Sequence, residues 1–93
     1  MVNMPPPFIP AAEAAVEAAY PDNAPAPSNV VAHDRILDEL KADFPRAAAY
    51  FESGLQWVRI ILDAEPGESA RIQIDVERRD GRVVSRRTVA HQA

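Results

Sequence analysis

The stretch Arg71-Ile-Gln-Ile-Asp-Val-Glu-Arg-Arg-Asp80-Gly81-Arg-Val-Val-Ser-Arg-Arg-Thr-Val89 decides how this chain folds. Two alternating runs flank Asp80-Gly81, and a two-residue type I′ turn needs φ > 0 at both central positions, which glycine reaches without a Cβ clash. A β-hairpin is therefore predicted, with strands over residues 70–79 and 82–90. Such a turn pairs Arg79 with Arg82, and that single pairing sets every facing residue. Ile72 opposite Val89, Ile74 opposite Arg87 and Val76 opposite Ser85 then form an inner face, while Asp75 opposite Arg86 lies on the wet one. Arg87 is the misfit of this register, because an unpaired guanidinium on a core face is costly. It is expected either to run its stem over apolar surface with the head in water, or to hold an anion or a partner carboxylate.

Upstream of the hairpin the period of two persists. Leu55 to Leu62 reads as the first strand, and Glu65-Pro-Gly-Glu68 carries the signal of a type II turn between it and the hairpin. Leu55, Trp57 and Ile61 point one way and Val58, Ile60 and Leu62 the other, so this strand is apolar on both faces and calls for cover on both. At the edge of a three-stranded meander it would also be an association hazard. Its cover is expected from the N-terminal arm, from a second copy in a homodimer through this strand, or from another protein.

Helical periodicity governs the residues before Leu55. Ser28 is a candidate N-cap for a helix over about residues 29–43, in which Val30, His33, Ile36, Leu37, Leu40 and Phe44 fall within an arc of about 120°. Pro45 interrupts it, and Arg46 to Ser53 read as a further short helix closed by Gly54. Residues 11–20 are rich in Ala and Glu between Pro10 and Pro21 and favour a short helix, with only Val16 and Tyr20 as large docking groups. Residues 21–27 form a proline-stiffened linker and residues 1–10 an extended arm. The expected organisation is thus a Pro/Ala-rich arm over residues 1–27 and a compact α+β domain over 28–93. In that domain two to three short helices pack on one face of a three-stranded antiparallel meander.

Composition limits the chemistry. Seventeen of the residues are Ala and none is Cys, so the core is thin and neither disulfides nor thiolate metal sites are available. His33 and His91 have no second ligand at i+3 or i+4, and Ser28, Ser69 and Ser85 each read as cap, turn or strand residues rather than as nucleophiles beside a base. The glycines at 54, 67 and 81 all sit at chain reversals or a helix end, leaving no phosphate-cradling loop. No catalytic set, metal or cofactor is expected, and the protein reads as not an enzyme.

Charge is divided along the chain. Residues 1–70 carry 11 acids and 4 bases, whereas residues 71–93 carry 3 acids and 6 bases. No run approaches the ~18 apolar residues that span a bilayer, and the start lacks a basic signal region, so a soluble cytoplasmic protein is expected. The leading expectation is a small non-enzymatic protein-binding module, of the inhibitor, adaptor or accessory kind encoded by phages and mobile elements, that occludes a partner surface. Trp57, Tyr50 and Arg59, with Arg87, are the expected contacts, since Trp, Tyr and Arg dominate interface energetics. The alternative is a nucleic-acid-binding β-ribbon using Arg78, Arg79, Arg82 and Arg86, opposed by the overall charge of −4 and by the acids Asp75, Glu77 and Asp80 on the same ribbon.

Overall fold

A computed structural model describes residues 8–65 and 70–92 of the chain. Within them run two helices, α1 (Phe8–Ala19) and α2 (Asn29–Leu40), and four strands, β1 (Ala48–Ser53), β2 (Trp57–Asp63), β3 (Ala70–Arg79) and β4 (Arg82–Gln92). The strands form one antiparallel sheet in the order β1-β2-β3-β4, so the chain is α+β with a four-stranded meander. The turn expected at Pro66-Gly67 and the first seven residues of the arm lie outside the described residues.

The segment predicted as a third helix is strand β1, and this adds a strand to the expected three. Its alanines favour a helix weakly, but one of eight residues is marginal in water. As a strand the same residues complete the ladder of β2, from Ala48 opposite Asp63 to Ser53 opposite Val58. A period of two lies inside the Ala run: Ala47 and Ala49 are buried and Phe51 packs against the core, while Tyr50 and Glu52 face solvent. Consequently β2 is an interior strand, paired on both sides, and Leu55 belongs to the turn before it, fully exposed.

The hairpin turn takes the predicted form. Asp80 and Gly81 have φ of 54° and 75°, and Arg79 pairs with Arg82. Two residues further the register departs from expectation, because a bulge between Glu77 and Arg78 sets Arg78 opposite Val83 but Glu77 opposite Ser85. One extra residue, Val84, reverses the facing of the rest of β4. Arg86 therefore occupies the inner position opposite Val76, and Arg87 faces outward opposite Asp75, correcting the inner placement of Arg87. The inner site is built for Arg86: its Nη1 donates to the Tyr20 carbonyl oxygen at 2.8 Å and meets Asp22 Oδ1 at 2.6 Å. A cation thus satisfies a carbonyl left over at the end of α1.

Both helices cover the inner face. In α1 the buried positions Ala12, Ala15, Val16 and Ala19 recur at helical spacing, and their small side chains let the helix approach α2 closely. The helix starts at Phe8, earlier than expected; Pro10 is accommodated in its first turn, where amides have no intrahelical acceptor. Phe8 meets Phe44 edge-to-face, with centroids 5.0 Å apart. Ser28 caps α2, its hydroxyl accepting from the Val31 amide at 3.2 Å, and Ala32, Ile36 and Leu40 enter the core. There they meet Val58, Ile60 and Leu62 of β2, Ile72, Ile74 and Val76 of β3, and Val83 of β4. The connection after α1 turns at Asn23, which has φ 57°, and then runs beside the start of β4: the Asn23 amide donates to Val83 O, the Val83 amide to Ala24 O and the Ala26 amide to Gly81 O. Arg82 Nη1 adds a bond to Asn23 O at 2.8 Å.

Candidate functional site: the outer face of the sheet

No described helix or loop covers the second face of the sheet. Cross-strand register arranges its side chains in rows. One row is Glu52 on β1, Arg59 on β2, Asp75 on β3 and Arg87 on β4, each directly opposite the next, with alternating sign. Unlike charges directly across a ladder attract, so the row stiffens the face without building a single-sign field. At its centre Arg59 is bidentate, with Nε donating to Asp75 Oδ1 at 3.0 Å and Nη2 to Oδ2 at 3.4 Å, and Gln73 Nε2 reaches the same carboxylate at 3.3 Å. These bonds to Asp75, with the charge of its carboxylate, hold the Arg59 guanidinium above its ordinary pKa. A neighbouring row, Tyr50, Ile61, Gln73 and Val89, is largely apolar.

At one end of the face lies Trp57, 41% exposed, with the Arg59 guanidinium carbon 5.6 Å from its ring centroid. That arrangement is a cation–π contact and orients both groups. The indole lies back over the β1–β2 turn, where a Cβ on Gly54 would overlap Trp57 Nε1 and Cε2. The indole thus rests where a Cβ at position 54 would lie, and Gly54→Ala is expected to lift it from the turn. A red shift of Trp57 emission, with unchanged circular dichroism, is the expected readout; an unshifted spectrum would show that the ring does not rest there.

At the other end Asp63 is buried, and Arg71 closes over it with Nε and Nη2 at 2.8 and 3.2 Å from its two carboxylate oxygens. This pair raises the Arg71 pKa, chiefly through the hydrogen bond to Asp63.

All four expected contact residues stand on this face. Tyr50 comes from β1, Trp57 and Arg59 from β2 and Arg87 from β4. The sequence puts Tyr50 in a helix and Arg87 on the inner face, so it brings together only Trp57 and Arg59. Glu52, Ile61 and Val89 complete the surface, and the alternation within residues 47–52 was the signal available for β1. The arginines of the alternative reading are dispersed: Arg78 Nη2 donates to the Gly54 and Trp57 carbonyls, Arg82 to Asn23 O and Arg86 to Tyr20 O. Only Arg79 of those four has no such bond described, so they do not form one phosphate-facing stripe.

Among the described residues no group of three or more His, Asp or Glu is placed to hold a metal ion, and no helix is long and apolar enough to cross a membrane. The chain matches no family model, no curated protein and no solved structure.

Proposed function

We propose that this chain is a small non-enzymatic protein-binding module that acts by covering a partner's surface with the outer face of its sheet. The supporting observation is the convergence of Trp57 and Tyr50, 41% and 53% exposed, with Arg59 and Arg87 on one face that no described helix or loop covers. Aromatic and Arg side chains carry most binding energy at interfaces, and those already held by neighbours lose little entropy on binding. The fixed charge row supplies orientation, since a partner must present complementary signs in the same spacing.

The test is capture of a partner on the immobilised full-length protein, with Trp57→Ala and Tyr50→Ala as controls. Trp57→Ala is expected to cost about 2 kcal/mol or more of binding, on the order of 30-fold in Kd, with folding retained. Equal capture by wild type and both variants would remove the reading. The competing nucleic-acid reading predicts a steep loss of affinity for duplex between ~50 and ~200 mM salt. No duplex binding even at the lower salt is the expected result.

A further inference from the structure

The two edges of the sheet are treated differently. Along β4 the chain covers its own edge at the hairpin end, where Asn23, Ala24 and Ala26 exchange backbone hydrogen bonds with Gly81 and Val83. No described segment pairs with the outer edge of β1. The Gly54 amide donates to Trp57 O at 3.0 Å, which fixes the alternation of the β1–β2 ladder. By that alternation Glu52, Tyr50 and Ala48 bond to β2, whereas Phe51 and Ala49 turn their N–H and C=O groups outward. Natural edges are blunted with Pro, Lys, bulges or cover; β1 has only Glu52.

Beside these outward groups runs a shallow groove of about 440 Å³ between β1 and α2, lined by Asn29, Val30, His33, Ala49, Tyr50 and Phe51. Its walls are apolar and open: Val30 is 72% exposed, and the His33 and Phe51 rings lie 5.8 Å apart. One end is tied shut by Asn29 Nδ2 donating to Ser53 Oγ at 2.6 Å. A strand edge beside a helix-walled apolar groove is the arrangement by which an added strand gains affinity from main-chain bonds and specificity from its alternate side chains.

The flanking charge selects the occupant. On α2 Asp34 and Asp38 follow the groove-lining Val30 by one and two helical turns, and β1 adds Glu52, against Arg46 just before β1, which is paired with Glu65. Self-pairing of β1 would bring two such acidic helices together on chains already at −4 each. A basic partner strand meets no such repulsion. We infer that the β1 edge and the β1–α2 groove take an extended segment of a partner protein, apolar at the position entering the groove and basic at its flanks. This rests on the protein-binding reading above but assigns it a second surface.

The test uses the full-length, isotope-labelled protein and a library of capped octapeptides of alternating character with basic, neutral or acidic flanks. Selection of basic, alternating peptides that slow exchange of the Ala49 and Phe51 amides at least tenfold is the expected result. Ala49→Pro removes one outward donor without breaking a bond to β2, and Val30→Lys places a cation on an exposed groove position; each is expected to weaken those peptides tenfold or more. Should Ala49→Pro fail to fold, Val30→Lys and the amide protection decide. No binder, a preference for acidic peptides, or protection that grows with protein concentration alone would overturn the inference, the last by making a second copy the occupant. Peptides weakened by Trp57→Ala but not by Val30→Lys would also overturn it while leaving the outer-face reading intact.

Discussion

Truncating Ile60 to alanine is expected to destabilise the fold by about 2–5 kcal/mol, whereas the same change at the adjacent Ile61 is expected to cost about 1 kcal/mol or less. Ile60 is fully buried at the centre of β2, opposite Phe51 on one side and Ile74 on the other. Loss of its side chain leaves a cavity beneath the helices that a sheet paired on both sides cannot collapse. Ile61, half-buried, points to the outer face beside Tyr50 and Gln73, which no described helix or loop covers. Two chemically identical neighbours thus report the facing of the whole strand. Urea unfolding of both variants is the measurement, and equal losses would refute the assigned register. A domain of this size has only about 5–15 kcal/mol in total, so Ile60→Val, expected to cost about 0.5–1.5 kcal/mol, serves if the alanine variant is unfolded.

Tyr20→Ala is expected to be comparably severe, at about 3–5 kcal/mol by analogy with truncation of other buried aromatic rings. Tyr20 is fully buried at the junction of α1 with the following turn, and its carbonyl receives Arg86. Removing the ring therefore loosens α1 and the connection along β4 together. Tyr20→Phe separates the ring from the hydroxyl, whose oxygen has no hydrogen-bond partner among the described residues. Deleting an unpaired buried polar group is expected to change stability by about 1 kcal/mol or less, and in the stabilising direction.

The same hydroxyl predicts an alkaline signature. Burial pushes the Tyr20 phenol above its ordinary value of 10.0, partly opposed by the Arg78 guanidinium. Above that pH the unfolded chain loses this proton while the folded chain retains it, so the contribution is complete below pH 10 and is lost as pH rises through the folded value. Unfolding midpoints between pH 9 and 11 should fall less steeply in Tyr20→Phe than in the wild type. Identical slopes would mean that the phenol is not buried in the folded state.

The hairpin was readable because its determinants are local. Asp80-Gly81 can take the paired positive φ values, and alternation identifies the strands on either side. The bulge at Glu77/Arg78 was not readable: nothing in Val83-Val84-Ser85 distinguishes an extra residue from a regular continuation. What favours it is remote, since Arg86 reaches Tyr20 and Asp22 while Arg87 lands opposite Asp75. β1 was obscured for a related reason. Alanine carries a helix propensity whatever it packs against, and only the need of β2 for an edge partner makes residues 48–53 extend.

The division follows the range of the forces. By itself the amino-acid order determined the α2 cap, the type I′ turn, the doubly apolar strand and the split of charge along the chain, but only part of the α2 stripe: Ile36 and Leu40 are buried, whereas Val30 is exposed and Ala32 enters the core instead. Each depends on backbone sterics or side-chain spacing within a few residues. Tertiary structure decided which arginine lies inside, which segment covers β2, and that Tyr50, Trp57, Arg59 and Arg87 share a face. Those outcomes depend on pairing between residues far apart in sequence, where one inserted position in β4 reverses the facing of every side chain beyond it.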